Sequence, residues 1–272
     1  MAYQSGQFYR LTLGWMGFML AASSVAEPIK LELYTQEFPP LQIQVDSQAE
    51  GYVVKFVEAV VSHAAEKLPM EIAAVHFAPW KRAIRNTQEN ENVLFFSLSR
   101  TPSREQEYQW IGPVSPYEVA IYRHYDGPSV TPSTFQELKN FSFAAQTASS
   151  FEEVAKEEGF AKIIPVNYGK VAIKLLHTNR VDFAPLVKAS YFYRMEQYGY
   201  DPKEFIEVVK VDRLCKELWL VTGNKTSQQV VEVLRESFSE LKNQGRLTEL
   251  IDYYQPDSDV MVRYRKAMTL VE

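Results

Sequence analysis

The sequence predicts an α/β protein made of two successive β/α series, and three observations carry that prediction. Short apolar or alternating runs are interleaved with helical stretches through most of the chain. A proline-marked break at Gly112-Pro113 and Ser115-Pro116 separates residues up to about 112 from a second series over residues 118–212. Hydrophobic residues make up 46% of the 272 positions, enough for a sizeable core. The length suits one large domain or two lobes of about 100 residues each.

In the first series, Lys30 to Tyr34 alternates polar and apolar residues and reads as a strand, broken by Phe38-Pro39-Pro40. Gly51 opens a helix over Tyr52 to Leu68, with Val53, Phe56, Val57, Val60, Val61, Ala64 and Leu68 on one face. Glu71 to Phe77 is the next strand. Pro79 fits the first turn of a helix carrying Trp80, Ile84 and Arg85. Val93 to Leu98 is apolar almost throughout, as in a strand covered on both faces.

The second series holds strands at Glu118–Arg123, Phe141–Ala145, Ile163–Val166 and Val181–Leu186. Its helices are a short one opened by a capping box at Ser133/Thr134, then Phe151–Glu158 ended by Gly159, then Tyr168–Thr178. Strands at Ile206–Val211 and Glu217–Val221 follow. A helix capped at Thr226 and Gln229 runs through Lys242, a short one spans Arg246–Tyr254, and the charged tail after Pro256 reads as a surface strap.

The N-terminus reads as a leader. Arg10 precedes the apolar run Leu11–Ala22, and Ser24-Val25-Ala26 places small residues where a signal peptidase cuts. The run falls short of the roughly 20 residues a membrane span needs. The sequence therefore predicts removal of residues 1–26 and a soluble periplasmic product of 246 residues beginning at Glu27. A mild net charge of −5 without a basic cluster argues against nucleic acid as a partner. Cys215 is the sole cysteine, so no intrachain disulfide forms. The histidines His63, His76, His124 and His177 lie far apart without ligand spacing, so no metal or other cofactor is expected.

Four stretches together resemble the family-3 extracellular solute-binding proteins, the group containing periplasmic amino-acid receptors. They are Phe38-Pro39-Pro40 followed by Gly51 and Glu58; Trp80 before the second helix; Ser97-Leu98-Ser99-Arg100-Thr101-Pro102-Ser103-Arg104, similar to an S-x-S-x-T-x-x-R ligand loop; and Leu241-Lys242-Asn243-Gln244-Gly245. The resemblance implies a two-lobed, type II-like periplasmic-binding-protein fold. Each lobe would be a mainly parallel sheet flanked by helices, joined by a two-strand hinge near 115–120 and 207–214. Lobe 1 would comprise residues 27–117 plus 213–272, and lobe 2 residues 118–212.

The resemblance also implies a site. A loop leaving the carboxyl end of a parallel strand faces the crevice where such sheets bind ligands. Ser97 and Ser99 offer hydroxyls there, and Thr101 can cap the next turn. Arg104 is implied as the fork that clamps a carboxylate, although alone it would read as a solvated arginine beside Glu105 and Glu107. The second lobe supplies Gln146-Thr147-Ala148-Ser149-Ser150, like the family's Q-x-G-T-S turn with alanine for glycine. Ser149 and Ser150 there cap the next helix or meet an anion. Phe38 and Trp80 fit as aromatic walls.

Two departures bear on the ligand. Amino-acid receptors of this group accept the ligand's ammonium on an aspartate, and ungapped counting puts Val187, beside Lys188, at that place. Thr35 likewise stands where some relatives carry an acid. Glu37 is the nearby substitute. The sequence thus predicts a monomeric, non-enzymatic receptor for a small carboxylate-bearing solute, serving an ABC permease or a membrane sensor. The alternative is a dehydratase-like enzyme on the same scaffold using Glu37 as its cleft carboxylate.

Overall fold

The computed structural model describes Met1, residues 27–255 and residues 258–269. The expected leader falls on residues 2–26, outside the described residues. No helix among the described residues is long and apolar enough to cross a membrane.

The predicted alternation produces β1 (Ile29–Thr35), where Leu31, Leu33 and Thr35 are buried and their neighbours less so. A hairpin of β2 (Ile43–Val45) and β3 (Gln48–Glu50) follows. It leads to α1 (Tyr52–Ala65), which buries the predicted face from Val53 to Ala64. Gly51 makes the entry possible. Its φ is 107°, and a Cβ there would lie 2.4 Å from the carbonyl oxygen of Leu41. Then come β4 (Met70–Phe77), α2 (Trp80–Glu89) and β5 (Val93–Ser99), the last buried at all seven positions. Pro79 is the residue before α2 rather than its first.

β6 (Tyr108–Tyr117) carries the chain out of this sheet and β7 (Val119–His124) starts the next. That second part contains β8 (Ser142–Gln146), α3 (Ser150–Glu157), β9 (Lys162–Val166), α4 (Gly169–His177), β10 (Ala184–Val187), α5 (Tyr191–Gln197) and β11 (Phe205–Lys210). β12 (Lys216–Gly223) returns to the first sheet, and α6 (Gln228–Asn243), α7 (Arg246–Tyr253) and α8 (Asp259–Thr269) follow. The cap of α6 is Ser227, not Thr226. Thr226 instead turns its hydroxyl inward to Thr222 and accepts from the backbone N–H of Asn92.

The first sheet has the order β4-β1-β5-β12-β6, with β12 antiparallel to both neighbours. The second repeats the pattern. β9, β8 and the strand leading into β10 are parallel, joined by the Phe143–Phe183 bridge, and β7 lies antiparallel between β10 and β11. In each sheet, four strands run one way and the strand entering from the crossing runs the other. The two crossings lie side by side. Val211 N–H donates to Val119 O at 2.9 Å, and Lys216 pairs with Tyr117.

Five elements carry no clear sequence signal: β2, β3, β6, α5 and α8. β6 runs straight through Gly112-Pro113 and Ser115-Pro116, so the break expected there is a continuous strand, paired along β12. α5 lies in a stretch that was given no element. The tail expected as a strap forms α8, which buries Val260 and Met261 and packs against both β2 and α5.

Candidate functional site

A cavity of about 80 Å³ lies between the two sheets, at the carboxyl ends of their parallel strands. From the first sheet come Gln36, Glu37 and Phe38 after β1, Trp80 at the start of α2, Ser97 and Ser99 in β5, Tyr117 ending β6, and Leu218 in β12. From the second come Gln146 ending β8, Ser149 and Ser150 at the start of α3, Val187 ending β10, and Arg194 in α5. Six of the seven residues singled out in the sequence therefore meet here: Ser97, Ser99, Phe38, Trp80, Glu37 and Ser149.

The seventh does not line the cavity. Arg104 is 3% exposed and sits behind Ser99. Its Nη1 donates to Ser99 O at 3.2 Å and to Ser99 Oγ at 2.9 Å. Its Nη2 donates to Ala148 O at 2.9 Å and pairs with the Glu153 carboxylate. The expected fork for a ligand carboxylate is thus engaged by a protein carboxylate from the other sheet. Glu153 is held in the first turn of α3, where the helix dipole favours a negative charge. The Thr101 hydroxyl also turns to Glu153 and Ser103 instead of capping its own turn.

The cation in the cavity wall is Arg194, which sequence reasoning missed. Its guanidinium carbon lies 4.5 Å over the Phe38 ring. Its Nε is buried without a hydrogen-bond partner among the described residues. The signal for it was present: Tyr191 and Met195, four residues apart, are the buried side of α5. An arginine directly after the aromatic run Tyr191-Phe192-Tyr193 gives no reason by itself to look toward the cleft.

Other polar groups of the wall are partly unsatisfied. Gln36 Oε1 accepts from Gln146 Nε2 at 2.7 Å, while Gln36 Nε2 is buried and unpaired. Ser97 Oγ donates to Gln42 Oε1 at 2.8 Å, leaving Gln42 Nε2 buried and unpaired. Glu37 accepts from Gln197 Nε2 at 3.3 Å, while Gln197 Oε1 is buried without a hydrogen-bond partner among the described residues. Burial pushes the Tyr117 hydroxyl above its ordinary pKa, so it stays a neutral group hydrogen-bonded to Ser150. A second cavity of about 310 Å³, with Tyr168, Lys170, Gln197 and Tyr198 in its wall, adjoins the first and shares Gln36, Glu37 and Arg194 with it.

Two residues here carry left-handed backbone without being glycine: Ser97 with φ 67° and Ala148 with φ 60°. Both are part of the junction between the lobes. Ala148 O accepts from Trp80 Nε1 at 3.0 Å as well as from Arg104. Val187, at the place predicted to lack the ammonium-accepting acid, lines the cavity as an apolar residue, and Lys188 pairs with Glu207 at 3.3 Å. Thr35 is fully buried and also offers no charge.

Residues 33–257 match the sequence model of the bacterial extracellular solute-binding proteins, family 3. The chain belongs to this family. No curated protein matches it. Among solved structures, the family-3 chain is similar to the substrate-binding protein of an amino acid ABC transporter, at 18% identity and a TM-score of 0.68, over 83% of this chain and 98% of that one. It is also similar to a histidine kinase sensor domain with similarity to periplasmic binding proteins, at 13% identity and a TM-score of 0.70, over 84% and 95%. A third is an ancestral amino acid-binding protein described as a precursor of cyclohexadienyl dehydratase, at 16% identity and a TM-score of 0.64, over 83% and 94%. At these identities the similarity is one of fold.

Proposed function

We propose that this chain is an exported receptor that holds a small carboxylate-bearing solute between its lobes, as a monomer, and presents it to an ABC importer or a membrane sensor. On this reading residues 1–26 are the leader, residues 27–117 with 213–272 form lobe 1, residues 118–212 form lobe 2, and the paired crossings act as the hinge. The observation that carries the ligand class is the Arg194 Nε, buried in the cavity wall without an acceptor. A guanidinium so placed is best completed by a carboxylate, whose oxygens take charge-assisted bonds from the planar fork. Gln36 Nε2 adds a second unpaired donor. Ser97, Ser99 and Ser149 supply hydroxyls, and Phe38 and Trp80 the apolar walls. Among the described residues Glu37 is the one carboxylate lining the cavity, so it receives an ammonium where the ligand carries one. Arg104 then serves to hold the closed lobes together through Glu153 and Ala148.

The test is a calorimetric screen of small organic acids, amino acids and their amides. Acids are expected to bind and the matching neutral amides not to. Arg194→Ala should remove a largely buried charge-assisted pair costing roughly 2–5 kcal/mol, about 30-fold or more in affinity. Binding that survives Arg194→Ala but fails in Arg104→Ala would return the clamp to Arg104, released from Glu153. Glu37 also keeps the enzymatic reading open to a direct check. Incubation should return the ligand intact, and turnover abolished by Glu37→Gln would move the protein to the dehydratase-like class.

A further inference from the structure

A second cluster of chemistry-bearing residues lies at the other end of the second sheet. At the cleft end, Val119 of β7 pairs with Val187 of β10. β7 then runs away from the cleft and ends at His124, about 17 Å further along at roughly 3.4 Å per residue. Across the ladder His124 pairs with Phe205, and Glu204 is the residue just before it, closing the short turn Pro202–Glu204. His177 is the last residue of α4. Strand register and a helix end thus bring together three side chains whose sequence spacing gave no hint of it.

Their geometry suits a metal ion. One ligand atom from each of His124, His177 and Glu204 lies within 4.8 Å of the other two. His177 Nε2 and Glu204 Oε2 are 3.4 Å apart. A tetrahedral ion with bonds of about 2.0–2.1 Å spaces its ligands by about 3.3 Å. The second observation is independent of the clustering: His124 is 6% exposed, and its Nδ1 is buried without a hydrogen-bond partner. Buried imidazole nitrogens are rarely left so, because the lost hydration is not recovered. Tyr125, at 4.4 Å from the His124 ring, and Tyr200, at 4.7 Å from the His177 ring, wall the cluster with aromatic surface. Such a shell limits water around a metal centre.

We propose that His124, His177 and Glu204 form a three-ligand site for a divalent cation of the zinc class, with a fourth position open. Two imidazoles and one carboxylate are a donor set for zinc and its late first-row neighbours, not for calcium or magnesium, which take six or more oxygens. The site is independent of the cleft. It ties the end of α4 to the outer ends of β7 and β11.

The full mature chain, dialysed against chelator, is titrated with Zn²⁺ alone and with Co²⁺ alone. One equivalent should bind, Zn²⁺ should raise the melting temperature, and Co²⁺ should give the visible absorption of tetrahedral coordination. His177 and Glu204 are partly exposed, so His177→Ala and Glu204→Gln should fold as the wild type does. Each should lose about 100-fold or more in affinity, since even outer-shell changes cost 10–100-fold. His63→Ala, which removes the histidine paired with Glu240, should bind like the wild type. Absence of one-equivalent binding, or binding that persists in His177→Ala, would overturn the site and leave His124 as a member of an aromatic cluster.

Discussion

At Ala148 one alanine stands where the resembling turn has glycine, and the backbone keeps the glycine conformation, with φ 60°. An L-residue in this region costs about 1–2 kcal/mol. The surroundings enforce it: the N–H donates to Glu152 Oε2 at 2.7 Å, while the carbonyl takes both Trp80 and Arg104. Ala148→Gly should relieve the strain but loosen the unfolded chain by about 0.4–1 kcal/mol. The net gain is about 0.5–1 kcal/mol, a rise of about 2 °C in melting temperature, read by differential scanning calorimetry. A fall instead would mean that the alanine methyl contributes more by packing than its backbone costs. The same carbonyl shows why the engagement of Arg104 is not legible in the sequence. Its loop motif is local and legible, but its partners, Ala148 and Glu153, come from the other lobe, and no local pattern announces them.

Among the elements, those with a strong period of their own were legible. The alternation of β1, the apolar run of β5 and the stripe of α1 each reflect burial against a sheet or helix that their own sequence already implies. α5 and α8 were not, because their burial comes from partners distant in sequence: Tyr191 and Met195 join the core of the second sheet, and Val260 and Met261 join the main core. α5 is a seven-residue helix with two buried side chains, and α8 buries Val260 and Met261 only because β2 and α5 meet beneath it. α8 therefore links an element of the first lobe to the helix that carries Arg194. A chain ending at Gln255 should lose the burial of those two side chains, worth about 3 kcal/mol together at the lower end of the usual range. It should also hold α5 less firmly. Urea unfolding should show the stability loss, and calorimetry a weaker affinity for the same acid. Unchanged affinity at lowered stability would show that α5 keeps its place without the strap.

For the molecule as a whole, tyrosines dominate the response to alkali. Burial pushes Tyr108 and Tyr191 up to about 12, and raises Tyr52, Tyr122 and Tyr254 as well. In the unfolded chain these hydroxyls ionise near 10. The native state thus keeps protons that the unfolded state releases, so stability is intact below about pH 10 and is lost as pH climbs toward 12. Circular dichroism and tyrosinate absorbance should change together over that window. Gradual ionisation with the ellipticity unchanged would show that these hydroxyls reach water in the folded protein.

The placing of β12 has a further consequence, for the order in which the parts are completed. β12 lies inside the first sheet, between β5 and β6, yet it is encoded after everything in the second. A chain delivered from its amino end therefore presents β5 and β6 as two open edges until residues 216–223 arrive, and open edges invite wrong partners. The five strands of the second sheet all lie between residues 119 and 210, so no later strand has to be inserted among them. The lobe that begins the sequence is thus the last to close. Its partner, already folded, holds the two crossings side by side and shortens the search that brings β12 home.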